Sequence, residues 1–229
     1  IFDKHMGHVD STISRISDGI EYLKDNEIAR EAFVLANKAI NISQTDSRLT
    51  DTYRIDNFKW RPFQICFQLL NIKGLLSKGG EEKEIVDLAW FPTGGGKTEA
   101  YLGLLAVCSF YRRLDPETVA REIQSPGVHS IMRYTLRLLT ADQSARLVRA
   151  CGAMNIVADE HGIGEDFGFT PFRVGMWIGS ETSPNNFFKN PNYPKNNTTQ
   201  DVIDKAKALE ESGDCTVVQF PTCPWCGDE

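Results

Sequence analysis

The sequence predicts an α/β fold in which a parallel sheet surrounds a phosphate-binding loop. Residues 85–91 form an apolar run, broken only by Asp87, that has the length of a buried strand and is too short for a helix. The loop Pro-Thr-Gly-Gly-Gly-Lys-Thr follows at 92–98, and apolar residues at helical spacing begin at Ala100. Runs at 128–135 and 172–178 predict further strands. Strand, glycine loop and helix in this order form the context that a phosphate-binding loop requires.

The composition is that of a globular protein rather than a membrane protein or a basic nucleic-acid tail. Of 229 residues, 41% are hydrophobic and 24% are charged, and the formal net charge is −6. No apolar run reaches the roughly 18–20 residues of a membrane span, and residues 1–8 lack the apolar core of a signal peptide. Three of the six cysteines, Cys66, Cys108 and Cys151, fall on apolar faces of predicted helices. We therefore predict a cytoplasmic protein without disulfides or membrane contact.

The chain divides into three predicted regions. Residues 1–57 form an N-terminal helical segment and a polar linker, residues 58–183 an ATPase domain, and residues 184–229 a loop, a helix and half of a zinc knuckle. In the first region, Ile13, Ile16 and Ile20 share one face of a helix over 10–24, and a second helix begins near Asn26. This pair is either a small domain or a layer packed on the next region, and the sequence leaves both open.

A helix that begins at Pro62 and ends near Ser77 precedes the glycine loop. The carboxamide of Gln64 can both donate to and accept from the edge of an adenine, and the planar guanidinium of Arg61 can stack on the base. The alternative is that both residues are ordinary surface groups of this helix. Their position just upstream of the loop favours adenine.

The loop itself has the residue types that a triphosphate needs. Glycines allow the backbone to approach a phosphate closely, and the following helix directs its positive dipole end at the same place. Lys97 adds a full charge for the β- and γ-phosphates, and the Thr98 hydroxyl is a ligand for Mg²⁺. The alternative is a glycine turn that merely connects a strand and a helix.

Two later stretches predict contacts with a nucleic-acid backbone. Arg137, Thr140 and Gln143 lie where a strand passes into a helix, and a helix N-terminus can receive a phosphate. Thr182 lies in a Gly-Ser-Glu-Thr-Ser-Pro turn and can donate to another phosphate. In both places an ordinary turn with a capping side chain is the alternative reading. Aromatic and lysine residues alternate over 187–195, as in proteins that stack single-stranded bases or in loops anchored to their own domain.

The end of the chain predicts half of a metal site. Cys223 and Cys226 stand in Cys-Pro-Trp-Cys-Gly, a turn in which two thiolates converge. Structural zinc takes four ligands, so we expect the remaining ligands outside the chain, with Cys215 as a possible third. A redox-active pair is the rival interpretation, but no thioredoxin-like pattern surrounds it. The Asp159-Glu160-His161 sequence is not read as a magnesium-binding DExH box, because the apolar pattern before it is helical.

These motifs resemble those of superfamily-two helicases. Arg61-x-x-Gln64 is similar to the Q motif, 92–98 to motif I, 135–143 to motif Ia and 179–184 to motif Ib, although Phe91 replaces the first glycine of the general pattern. Together with Cys-Pro-Trp-Cys-Gly, they resemble the DrmA family of helicases from bacterial DISARM antiphage systems. The resemblance implies a RecA-like ATPase domain that uses ATP, Mg²⁺ and a structural Zn²⁺, acts on single-stranded DNA, and has a DrmB-like partner protein. The nucleotide-site residues that it implies are Arg61, Gln64, Thr93, Gly94, Gly95, Gly96, Lys97, Thr98 and Glu99, with Lys97 and Thr98 catalytic.

The resemblance also implies that the 229 residues are part of a longer protein. Motif II, the motif VI arginine and a second RecA-like domain have no counterpart in the sequence. Two other classes remain open: a P-loop ATPase that remodels or transports without a nucleic-acid track, and a nucleotide-regulated binding module without turnover.

Overall fold

A computed structural model describes residues 2–44, 58–79, 81–88, 90, 94–124, 127–133, 137–163, 171–177, 198, 200–201, 204 and 223–225. The chain forms two compact units, Ile1–Phe172 and Arg173–Glu229. The described residues of the first unit form six α-helices and a short 3₁₀ helix over Glu81–Glu84. The α-helices are α1 (Phe2–Asp25), α2 (Glu27–Ser43), α3 (Pro62–Leu76), α4 (Lys97–Leu114), α5 (Pro116–Gln124) and α6 (Arg137–Glu160).

The predicted parallel sheet is absent from the described residues, so the prediction of a RecA-like α/β fold is wrong for this part of the chain. No strand forms in the described residues of the three predicted runs, which are 85–88 and 90, 127–133 and 171–177. An apolar run becomes a strand only where a neighbouring segment pairs with its backbone, and the run alone does not supply that neighbour. The first unit instead buries its apolar surface by packing helix on helix.

The core of the first unit lies where α2 packs against α4 and α6. The buried face of α2 carries four alanines with at most 1% of their surface exposed, Ala29, Ala32, Ala36 and Ala39. Small side chains at this spacing allow neighbouring helices to approach closely. The larger side chains that fill the core include Leu35 and Ile40 from α2, Leu102, Val107 and Phe110 from α4, and Met154 and Val157 from α6.

Helix α1 packs mainly on α3, so the N-terminal pair is a layer on the rest of the unit rather than a separate domain. Gly19 marks the closest approach: a Cβ atom there would stand 1.9 Å from the carbonyl oxygen of Leu69. Ile13, predicted to face inward, is 56% exposed. The buried Gly19, and not the exposed Ile13, therefore lies on the face of α1 that contacts α3.

Local signals predicted most helix boundaries. The predicted starts of α3 at Pro62 and of α4 at Lys97 are confirmed, and the Asn26 side chain caps α2 by accepting from the N–H of Ala29. Asp159 and Glu160 end α6, as expected from the helical pattern. Helix α5 was not predicted. It begins at Pro116, and the carboxylate of Asp115 caps it by accepting from the N–H and the hydroxyl of Thr118.

In the second unit, the described residues show one helix start. Thr198 donates its N–H and its hydroxyl to the carboxylate of Asp201, and the N–H of Asp201 donates back to the Thr198 hydroxyl oxygen. Such reciprocal bonds are typical of the first turn of a helix. They lie within residues 184–229, the region for which the sequence predicts a helix.

Candidate nucleotide-binding site

The glycine loop leads directly into the first turn of α4. Gly94 and Gly96 have φ angles of 78° and 86°, in the left-handed region that favours glycine. Gly96 is the residue before the helix and has no side chain with which to cap the N–H groups of the first turn. These groups and the helix dipole are the elements with which a helix N-terminus binds an anion. Lys97 and Thr98 occupy this first turn and are half-buried.

The start of α3 contacts this loop through two of the predicted adenine-site residues. The guanidinium of Arg61 donates to the carbonyl oxygen of Gly95 at 2.9 Å, and the carboxamide nitrogen of Gln64 donates to that of Gly96 at 2.6 Å. The structure therefore brings together residues that lie more than thirty positions apart in the sequence. These two hydrogen bonds hold the carbonyl groups of Gly95 and Gly96. They therefore fix the backbone of the loop just before Lys97.

Gln64 has a more internal position than an adenine-reading residue requires. Its side chain is 3% exposed, and its carboxamide oxygen accepts the N–H of Arg61 at 2.8 Å while its nitrogen binds the loop. The carboxamide of Gln64 therefore keeps one N–H and one oxygen lone pair for hydrogen bonds to a base. Arg61 is exposed and keeps a planar face for stacking. The adenine-binding role of both residues stays a prediction.

Glu99 connects the loop to α6. One of its carboxylate oxygens accepts from the guanidinium of Arg146 at 2.7 Å, and the other lies 3.3 Å from the place that a Cβ on Gly96 would take. Arg146 also contacts Asp142 at 3.1 Å. Arg146 is therefore paired with two carboxylates, one on α4 and one on its own helix.

The predicted DNA-contacting residues lie partly in the same unit. Arg137 and Thr140 belong to the first turn of α6, and Gln143 follows one turn later. The Gln143 carboxamide oxygen is buried and has no hydrogen-bond partner among the described residues. Thr182 lies outside the described residues, as does Thr93 of the nucleotide site. The structure thus joins α6 to the glycine loop through Arg146, and the DNA contacts themselves stay a prediction.

The predicted zinc ligands are only partly described. Cys223 is exposed and precedes a turn at Pro224 and Trp225, while Cys226 and Cys215 lie outside the described residues. No group of three or more His, Cys, Asp or Glu residues suited to a metal occurs within the described part of the chain. A two-residue turn next to Cys223 fits the bend that a Cys-x-x-Cys knuckle needs.

A separate cavity of about 880 Å³ lies between the end of α3, α4, α5 and residues 129–132. Burial, with a smaller contribution from Arg112, lowers the pKa of His129 to about 4, and burial raises the pKa of Cys108 to about 12. Both side chains are therefore uncharged at neutral pH, and the glycine loop is not among the walls of the cavity.

Comparisons with known proteins give one curated relative. No protein-family model and no solved structure matches the chain. No helix in the described ranges has the length and apolarity of a membrane span. The chain spans about a fifth of the curated relative that it matches. Over 228 residues, 95% of this chain and 20% of the relative, it is 37% identical to the DISARM protein DrmA of Bacillus paralicheniformis, which confirms the relation to DrmA that its motifs predict.

Proposed function

We propose that the chain is the nucleotide-binding part of an ATP-dependent superfamily-two helicase or translocase that acts on DNA in DISARM antiphage defence. The observation that carries the proposal is the loop at 94–96, whose two left-handed glycines lead into Lys97 and Thr98 at the start of an 18-residue helix. The similarity to a DISARM protein supplies the biological setting. The cofactors that we propose are ATP and Mg²⁺.

In this proposal each residue of the loop has a distinct role. The first-turn N–H groups of α4 and the Lys97 ammonium bind the phosphates, and the Thr98 hydroxyl is a ligand of Mg²⁺. Arg61 and Gln64 hold the loop carbonyls and lie next to the place where the adenine would bind. Phosphoryl transfer also needs an acidic Mg²⁺ ligand and an arginine for the developing charge. We propose that these groups come from the remainder of the full-length protein.

Helix α6 carries the residues that we propose to contact DNA. Its first turn carries Arg137 and Thr140, and Arg146 two turns later binds Glu99 next to the loop. A phosphate of single-stranded DNA at this first turn would therefore be connected to the nucleotide site by one ion pair. We further propose a bacterial cytoplasmic location and a DrmB-like partner, both from the relation to DrmA.

Hydrolysis of ATP by the full-length protein, with and without single-stranded DNA, tests the nucleic-acid part of the proposal. We expect DNA to raise the rate, Lys97→Ala to abolish it, and Arg137→Ala to reduce the stimulation more than the basal rate. Hydrolysis that depends on Lys97 but ignores DNA would identify an ATPase of another class. Binding of ATP without turnover would identify a nucleotide-regulated binding module.

We propose zinc as a second metal, held by Cys223 and Cys226 together with ligands outside residues 1–229. Elemental analysis of the purified full-length protein should show stoichiometric zinc that is lost from the double variant Cys223→Ser, Cys226→Ser. A full-length protein without zinc would contradict this proposal.

A further inference from the structure

The glycine loop has a carboxylate beside it, although a site for phosphates has to attract negative charge. Glu99 lies in the first turn of α4, and only 12% of its side chain is exposed. One of its carboxylate oxygens stands 3.3 Å from the place that a Cβ on Gly96 would take. A carboxylate at a helix N-terminus is stabilised by the same dipole that would bind a phosphate. Without a partner, Glu99 would therefore compete with a nucleotide at the loop and repel it.

Arg146 of α6 supplies the opposite charge. Its guanidinium donates to the carboxylate of Glu99 at 2.7 Å, and the oxygen that accepts is not the one next to Gly96. The two carboxylate oxygens of Glu99 thus have different neighbours, the guanidinium at one and the loop at the other. A charge-assisted hydrogen bond of this length both balances the charge of the carboxylate and fixes its direction.

The second carboxylate that Arg146 contacts provides an internal comparison. Asp142 lies one turn earlier on α6, at 3.1 Å from the guanidinium, and its side chain is 60% exposed. Water and salt screen the charge of an exposed carboxylate more than that of Glu99. Among the described residues, the side-chain atoms nearest to the Cβ position of Gly96 belong to Gln64 and Glu99. Of the two carboxylates, Glu99 is therefore the one placed to act on an anion at the loop.

We propose that Arg146 is a positioning residue for phosphate binding. By pairing with Glu99, it cancels the negative charge beside the loop and so allows the loop to accept a nucleoside triphosphate. This inference rests on the proposed function, because it takes the loop at 94–98 as the nucleotide site. It deepens that function, because it gives a residue of α6 a role in ATP binding that requires no contact between its side chain and the nucleotide.

Equilibrium binding of a non-hydrolysable ATP analogue to the full-length protein tests the proposal. The substitution Arg146→Gln is made in three backgrounds, which are the wild type, Glu99→Gln and Asp142→Asn. Because the charge of Glu99 is the proposed cause, Arg146→Gln should weaken binding about tenfold in the wild type and again about tenfold with Asp142→Asn. With Glu99→Gln it should weaken binding no more than about twofold. Arg146→Lys keeps the positive charge and should stay within about threefold of the wild type.

A loss of equal size in all three backgrounds would overturn the proposal, because Arg146 would then act on the nucleotide or on the fold without Glu99. An unchanged affinity of Arg146→Gln would overturn it as well. Arg146→Ala takes the place of Arg146→Gln if that variant does not fold. Lys97→Ala separates this result from that of the proposed function. If Lys97→Ala weakens binding and Arg146→Gln does not, the nucleotide site stands and the role of Arg146 fails, whereas a Lys97→Ala variant without effect would refute both.

Discussion

Gly96 is the residue at which the loop, α3 and α4 meet. Its φ of 86° belongs to the left-handed region, and a Cβ there would lie 2.7 Å from the carboxamide nitrogen of Gln64. Gly94 has a similar φ of 78°, but a Cβ on Gly94 would meet no atom of the described residues within 4 Å. Both glycines therefore adopt the left-handed backbone conformation, but only at Gly96 does a described side chain occupy the space that a Cβ would take.

This difference gives a matched pair of substitutions. We expect Gly94→Ala to lower the free energy of unfolding by about 1–2 kcal/mol through backbone strain alone. Gly96→Ala should lower it by about 2–4 kcal/mol, because the methyl group also displaces the buried Gln64 side chain. Denaturant titration of the chain measures both values. Equal losses for the two variants would show that Gln64 does not pack on the loop as described.

The sequence predicted the glycine loop and the start of α4 better than it predicted which face of α3 is buried. The glycines, Lys97 and the start of α4 follow from local rules that hold in any fold. The buried face of α3 did not follow, because its apolar residues surround the helix and leave the orientation undetermined. Cys66 was expected on an apolar face, whereas Cys66 and Leu75 are exposed and Gln64, Gln68 and Ile72 are buried. Contacts with Gly96 and Gly103, which no local pattern reveals, select that face.

At the scale of elements, the Glu99–Arg146 ion pair is the link between α4 and α6 next to the loop. The side chain of Glu99 is 12% exposed and that of Arg146 is 46% exposed. A partly buried pair is screened less by salt than an exposed one, although water at Arg146 limits its strength. The Lys24–Glu21 pair on α1 offers a control, since both of its side chains are more than 60% exposed.

A double-mutant cycle measures this link. With Glu99→Gln and Arg146→Gln, we expect a coupling free energy of about 0.5–1 kcal/mol that decreases in high salt. The corresponding cycle with Glu21→Gln and Lys24→Gln should give no more than about 0.3 kcal/mol. Unfolding of the four variants of each pair provides the values. A Glu99–Arg146 coupling no larger than that of the control pair would remove the proposed connection between the loop and α6.

At the scale of the whole molecule, the missing sheet is the main difference from the sequence-based prediction. Helix boundaries depend on neighbouring residues and were largely predicted, but a parallel strand depends on partners that lie far away in the chain. The apolar runs at 85–91 and 128–135 gave no information on such partners. Val86, Val128 and Ile131 are each more than 80% exposed, so these runs do not belong to the core that the described helices form.

This architecture predicts what residues 1–229 can do in isolation. We propose that the loop provides the phosphate ligands, and we expect the acidic residue and the arginine that phosphoryl transfer requires from the rest of the full-length protein. We expect the isolated chain to bind ATP weakly and not to hydrolyse it. We expect the full-length protein to bind DNA with an affinity that falls as salt concentration rises, because phosphate contacts release counterions. Lys97-dependent hydrolysis by the isolated chain would refute this division of roles.

The central claim is that the loop at 94–98 holds the phosphates of ATP, and equilibrium binding of a non-hydrolysable ATP analogue to the full-length protein tests it most directly. Lys97→Ala removes a charge-assisted contact worth about 1.5–3 kcal/mol, so we expect binding to weaken roughly 10- to 150-fold. Lys24→Ala, which removes the same charge from an exposed position on α1, should leave the affinity unchanged. Equal affinities for the wild type and for Lys97→Ala would contradict the claim.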